Sequence, residues 1–297
     1  MNLGKMKKVL GVIGLVLFTT ACTETKKEQN MEEQVKSNQA VADLVDGDVI
    51  AGINLTVSEG KRLIAKGIAN CPAVKAKLQK GIVIITSGST NTYIAEELTG
   101  LDAPHGSFMT GNITPQGTPG VNEGFERVPN IVLIDGKKVE MDFEEALKQT
   151  TEGDIIFKGA NMLNYEKHQA AVCIGAPDGG TTARVRKVTT GEGKAKLIVP
   201  IGLEKQVYGD LNDYEEIASV KTEQLAYVPR VWVHKNAELF TEIEAIKTFA
   251  SVNIIPFAAG GLAGREGGIS LAVYGSKEEV QKVLDIVASV QGEVPFK

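Results

Sequence analysis

The chain has 297 residues, 43% of them apolar and 23% charged, with a formal charge of −5 at pH 7. Those proportions suit a globular protein with enough apolar material for one large domain or two modest ones. An acidic balance argues against nucleic acid, or an anionic lipid surface, as a partner recruited by the overall field.

The first residues read as a secretory signal. Lys5, Lys7 and Lys8 precede an apolar run from Val9 to Phe18, and small residues follow up to Ala21 and Cys22. The run is shorter than the roughly 20 residues a membrane-crossing helix needs, so residues 1–21 are expected to be cleaved. Residues 19–22 resemble the lipobox of bacterial lipoproteins, although Thr19 stands where that family has leucine. The resemblance implies a lipid on Cys22, a cell-membrane location outside the cytoplasm, and residues 22–40 as a polar tether. Cleavage by an ordinary signal peptidase, leaving Cys22 unmodified, is the alternative.

Residues 41–225 are expected to form an α/β domain with a Rossmann-like, mostly parallel sheet and helices on both faces. "LTVSEGKRLIAKGIANCPAVKAKLQKG" carries helix signals, with Ser58 as N-cap and a break or restart at Pro72. An apolar strand at 82–86 then runs into "TSGSTN", and a helix follows over about 90–98. The stretch from His105 to Asn130 is rich in Gly, Pro, Thr and Asn, which fits an active-site flap or a surface insertion. "NIVLIDGKKVEM" reads as strand and turn, "DFEEALKQTT" as a helix capped by Asp142, and "GDIIFKGANML" as a strand ending in a polar turn. "AAVCIGAPDGG" reads as a strand and turn before a helix opening at Thr181 or Thr182, and residues 197–201 as a further strand. Apolar runs alternating with helices imply parallel strands, whose carboxyl ends are where ligands bind.

Residues 226–297 are expected to form a small α+β, ferredoxin-like domain. "VPRVWVH" alternates as a strand, "NAELFTEIEAIKTFA" reads as an amphipathic helix capped by Asn236, two strands follow, and a last helix is capped by Ser276. Trp232 is expected to pack inside this unit.

Three strand ends bring polar groups together: Thr86-Ser87-Gly88-Ser89-Thr90-Asn91, Lys158-Gly159-Ala160-Asn161, and Gly202-Leu203-Glu204-Lys205. The first offers hydroxyls and backbone N–H groups at a helix mouth, a site for phosphate or carboxylate, and the other two each add a lysine. Ordinary capping by Ser89 and Thr90, and solvated lysines, are the plainer explanations.

The order of these motifs resembles the sugar-phosphate isomerase and CoA-transferase superfamily, above all ribose-5-phosphate isomerase A and the sensor domains of DeoR-type regulators. Residues 58–98 are similar to that family's helix, strand and Gly-Ser/Thr turn, with "TSGST" in the place of its "GTGST". "FKGANMLN" is similar to its "DGAD" turn, and "PIGLEK" to its strand ending in lysine. The resemblance implies that Ser87, Gly88, Ser89 and Thr90 hold an anionic ligand bordered by Asn161 and Lys205. The isomerase's two motif aspartates are replaced by Lys158 and Asn161, and the segment bearing its base has no clear counterpart. Glu166 is the nearest candidate by order, with Glu204 and Glu266 as others. Aldose–ketose isomerisation needs such a base to move a proton between carbons.

The pattern therefore implies an exported binding protein for a small anionic metabolite, an isomerase or transferase, or an interaction module with a relic cleft. No cofactor and no metal is implied. Asp178-Gly179-Gly180-Thr181 is a second possible anion site or a plain turn, Arg265 a possible clamp over the cleft, and Cys71 and Cys173 either a disulfide or two thiols.

Overall fold

The computed structural model describes residues 44–296 other than 46, 110–111, 114–118, 121–123 and 192–193. The signal segment, Cys22 and most of the tether lie outside the described residues. Numbered in chain order, β1 (Val49–Leu55) leads to α1 (Val57–Asn70) and α2 (Pro72–Gln79), then β2 (Ile82–Ile85) and α3 (Ser89–Thr99). After β3 (Asn112–Ile113) and β4 (Pro119–Gly120) come β5 (Ile131–Ile134), β6 (Lys137–Val139), α4 (Phe143–Gln149) and β7 (Ile155–Phe157). Next are β8 (Met162–Asn164), β9 (Gln169–Ile174), α5 (Gly180–Thr189), β10 (Lys196–Pro200), α6 (Leu211–Ser219) and β11 (Arg230–Val233). The last elements are β12 (Ala237–Phe240), α7 (Glu242–Lys247), β13 (Asn253–Ala259), β14 (Ile269–Gly275) and α8 (Lys277–Ala288).

The fold is mixed α/β around a six-stranded sheet of order β12-β10-β7-β2-β5-β6. The first four strands are parallel to their neighbours, and the β5–β6 hairpin adds two antiparallel strands at one edge. The parallel strands are short apolar runs such as "IVII", "IIF" and "LIVP", with Val83, Ile84, Ile85, Ile156, Phe157 and Val199 fully buried. Uninterrupted apolar runs are what a sheet covered on both faces requires. Two smaller sheets, β1-β14-β13 and β11-β9-β8, are antiparallel.

Helix α1 packs against both α3 and α7. Its approach to α7 depends on Gly67, because a Cβ there would lie 2.5 Å from Ala245 Cα. Its start is fixed by a capping box in which Thr56 Oγ1 accepts the Glu59 N–H and Glu59 Oε2 accepts the Thr56 N–H. Thr56, not Ser58, is thus the N-cap, and Ser58 is buried inside the first turn. Pro72 restarts the helix as expected, at the first position of α2.

Several expectations are corrected. The stretch 236–250 is not one helix capped by Asn236: Asn236 has φ +54° in the turn from β11, residues 237–240 pair in parallel with β10, and Thr241 caps the short α7. An N-cap residue needs extended backbone, which that φ excludes. The strand in "AAVCIG" does not join the parallel sheet; it pairs with that in "VPRVWV" in the separate antiparallel one. The strands expected to make a ferredoxin-like unit are therefore spread over two sheets, with β11 against β9 and β14 between β1 and β13, while β12, expected as helix, joins the main sheet. Strand β1, in "VIAGINL", was not expected at all.

Candidate functional site

The parallel strands β2, β7, β10 and β12 end on one edge of the sheet and deliver Thr86, Lys158, Gly202 and Thr241 there. At the end of β2, Thr86 donates both its N–H and its Oγ1–H to Phe157 O, at 3.1 and 2.9 Å. Asn91 donates Nδ2–H to Thr86 O at 2.7 Å and to Phe157 O at 3.2 Å. Both side chains are buried and hold the loop to β7, rather than facing a ligand as the strand-end pattern suggested. The Ser87 N–H is taken by Asn130 Oδ1 and the Gly88 N–H by Phe108 O, both at 2.9 Å. The two ends of the Gly-rich segment thus brace this loop.

What the loop leaves open is the mouth of α3. Its N-cap is Gly88, which supplies no side-chain acceptor, and Ser89 and Thr90 lie inside the helix. Capping by those hydroxyls does not occur. Thr90 Oγ1 is buried and has no hydrogen-bond partner. An uncapped helix start with unused donors favours negative charge.

Three lysines at this edge influence one another. Lys158, half-buried after β7, reaches Gly159 O at 3.4 Å, and Lys205, half-buried after β10, reaches Ala160 O at 3.0 Å. Lys61 comes from α1, is only 8% exposed, and has its Nζ 5.2 Å from the centroid of the Phe296 ring. Among the described residues none of the three has a carboxylate within ion-pair distance. Burial, reinforced by the charge of Lys205, lowers Lys61 to about 8 against the opposing pull of Glu204 and Glu242. Burial and Lys205 likewise bring Lys158 down to about 8. Next to Lys158, His234 contacts Gly159 O at 3.3 Å through Nε2; burial and the Lys158 charge push it down to about 3, so it is neutral.

Two glutamates complete the cluster. Glu242, at the start of α7 and 2% exposed, accepts the Leu203 N–H through Oε2 at 2.9 Å. Burial, and then the neighbouring charge of Glu204, push its pKa well above the usual carboxylate range. Room for it exists because residue 60 is glycine: a Cβ there would lie 2.6 Å from Glu242 Oε1.

The edge therefore gathers Lys61, Lys158, Lys205, Glu204 and Glu242, groups whose charges act on one another. Of these, sequence reasoning found Lys158, Lys205 and Glu204. Glu242 was hidden by reading its strand as helix. The signal for Lys61 was its place on the apolar stripe of α1 with Ile64, Ala65 and Ile68.

The remaining candidates lie elsewhere. Asn161 is exposed, and its Oδ1 accepts the Cys173 N–H at 2.9 Å, tying β8 to β9. Glu166 is exposed in the turn between β8 and β9 and is not among the charges acting on Lys61 or Lys158. Arg265 is no clamp, being bound to Gly260 O, Asn54 Oδ1 and Ser270 Oγ, and Glu266 Oε2 accepts the Gly264 N–H in the same loop. Asp178 Oδ1 accepts the Gly180 N–H at 2.9 Å, so the mouth of α5 already faces a carboxylate. Trp232 lies beneath the Arg186 guanidinium, 5.6 Å from its ring centroid, and Cys71 and Cys173 are free thiols. An open groove of about 320 Å³ between α6 and β11, lined by Glu215, Arg230 and Trp232 among others, shares no residue with the lysine cluster. Among the described residues no helix is long and apolar enough to cross a membrane.

Fold and site together define a mixed α/β protein with a lysine-rich site at the carboxyl ends of its parallel strands. Comparison with protein-family models, with curated proteins and with solved structures found no match.

Proposed function

We propose that the protein binds a small anionic metabolite, phosphorylated or carboxylated, at the carboxyl edge of its sheet, as an exported protein held at the cell membrane by a lipid on Cys22. The observation that carries the binding reading is that Lys61 and Lys158 both feel the charge of Lys205, none of the three being ion-paired among the described residues, at the sheet edge where the uncapped start of α3 also follows β2. Like charges gathered out of water repel one another, and a bound phosphate or carboxylate offsets both the repulsion and the lost hydration. The location matches where ligands sit in Rossmann-like sheets, and the resemblance of the strand-end motifs to the sugar-phosphate isomerases supports the same ligand class.

Thermal melts and calorimetry of the purified full-length chain with inorganic phosphate, ribose 5-phosphate and coenzyme A test this reading. Stabilisation by at least one of them, weakened in a Lys158→Ala, Lys205→Ala double variant, is the expected result. No stabilisation by any anion overturns it. A second reading, an isomerase or transferase, is favoured by Glu204 and Glu242 standing beside the lysines, because proton movement or acyl transfer needs a carboxyl group there. Turnover of a sugar phosphate or a thioester that disappears in Glu242→Gln supports it.

A further inference from the structure

We propose that Lys61 is a carbonyl-reactive amine, and that the anion bound at this edge carries an aldehyde or ketone with which Lys61 forms a Schiff base. This rests on the anion-binding reading above and adds the ligand's second functional group.

A lysine on an apolar helix stripe buries its stem and keeps its amine accessible. Lys61 is 8% exposed, lies on the apolar stripe of α1, and has the face of Phe296 against an ammonium that is not among the enclosed, unpartnered polar atoms, so a small ligand can reach it. The other two lysines of the site differ, since each donates to a strand-end carbonyl, Lys158 to Gly159 O and Lys205 to Ala160 O. They are placed to hold charge, whereas the Lys61 amine is uncommitted. A lysine that is desolvated, or set beside another cation, releases its proton readily and becomes a nucleophile; Lys61 is in both situations, with Lys205 as the cation.

The carboxyl groups that imine formation needs, Glu204 and Glu242, are near enough to act on its charge without an ion pair. Glu242 packs against Gly60, the residue before Lys61, and burial together with Glu204 keeps it protonated. In the step itself, the neutral Lys61 Nζ attacks the carbonyl carbon, a C–N bond forms, and the carbonyl electron pair moves to oxygen, which takes the Glu242 proton. The Glu204 carboxylate accepts a proton from nitrogen. The resulting carbinolamine hydroxyl leaves as water with that proton, the C–O bond breaks, nitrogen's lone pair closes a protonated imine, and the imine N–H proton returns to the Glu242 carboxylate. Nothing is oxidised or reduced: amine and carbonyl give imine and water, Glu242 regains the proton it gave, and Glu204 gives up the one it took.

Pyridoxal 5′-phosphate carries a phosphate and an aldehyde on one small molecule and serves as the probe. The full-length chain is treated with substoichiometric probe, reduced with borohydride and mapped by peptide mass. The expected result is labelling of Lys61 at least about tenfold above any surface lysine, the preference that one unit of easier deprotonation provides. Inorganic phosphate should suppress that labelling, and Lys61→Arg and Lys61→Met should both lose it, with phosphate stabilisation in melts weakened in Lys61→Met, which removes a charge of the site, and weakened less in Lys61→Arg, which keeps that charge. Labelling spread evenly over the lysines, or concentrated on Lys158 or Lys205 with Lys61 spared, overturns the proposal while leaving the anion site intact. Lack of any phosphate effect on labelling or melting overturns the anion-binding reading, and the proposal with it.

Discussion

Leu203 donates its backbone N–H to Glu242 Oε2 at 2.9 Å, joining the turn after β10 to the first residue of α7. The bond fixes a carboxyl group that is 2% exposed, and the charges facing it are Glu204, Glu244 and Lys61. Its folded-state pKa is raised above the unfolded value, so the native chain holds a proton that the unfolded chain releases. The stabilisation linked to that proton is complete below the ordinary carboxylate range and is lost as pH rises toward the raised value. Glu242→Gln keeps an acceptor for Leu203 but removes the titration. In denaturant melts at pH 5 and pH 8 the wild type should lose stability between the two, by at most about 1.4 kcal/mol per pH unit from this group, and the variant should lose less. Parallel changes in the two proteins would show that Glu242 is already ionised at pH 5.

Anion binding should weaken as pH rises through about 8, where Lys61 and Lys158 release their protons. The sign follows from the ligand's charge, since a bound anion favours the ammonium form and is favoured by it. His234, also in contact with this group, is pushed down to about 3 and contributes no step near its ordinary value of 6.5. Sulfate titrations by calorimetry from pH 6 to 9.5 test this, because sulfate keeps one charge state over that range. A profile with its only break near 6.5 would assign the binding charge to a histidine instead.

Asn91 should prove a structural residue of the site. Its Nδ2 group ties the loop after β2 to Phe157 O at the end of β7, from a side chain 1% exposed. Replacement by leucine leaves the Thr86 and Phe157 carbonyls without that donor in a buried place, at a cost of roughly 1–3 kcal/mol. The measurement is the unfolding free energy of Asn91→Leu. A change below about 0.5 kcal/mol, the range of ordinary surface substitutions, would remove Asn91 from this role.

How much of this was legible in the sequence varied with the kind of signal. The ends of β2, β7 and β10 could be read because each is a wholly apolar run that stops abruptly at a polar turn. Strand β12 could not, because "AELF" is made largely of good helix formers and runs directly into the real helix α7; its strand conformation comes from pairing with β10. That one misreading concealed both the fourth strand end and Glu242. Strands β9 and β11 were recognised as strands, but short apolar runs do not state their sheet partners, and their antiparallel pairing is visible only in three dimensions. Lys61 was legible in principle, as a charged residue at the spacing of Ile64, Ala65 and Ile68.

Two glycines of α1 should separate the site from its scaffold. A Cβ at Gly67 would meet Ala245 at 2.5 Å from both Cα and Cβ, atoms that move only with the whole of α7. Gly67→Ala should therefore push α1 and α7 apart and destabilise the fold by about 1–3 kcal/mol, the usual cost of overpacking a core. A Cβ at Gly60 would instead meet Glu242 Oε1 at 2.6 Å, the end of a side chain that can rotate. Gly60→Ala gains helix propensity worth up to about 1 kcal/mol and displaces only the carboxyl group, so its melting temperature should stay near or above that of Gly67→Ala. Its phosphate affinity and Lys61 labelling, however, should change, because the carboxyl beside Lys61 has moved. Melts and phosphate titrations on the two variants side by side give the answer. If Gly60→Ala binds and labels as the wild type does while Gly67→Ala behaves as expected, Glu242 has no part in the site.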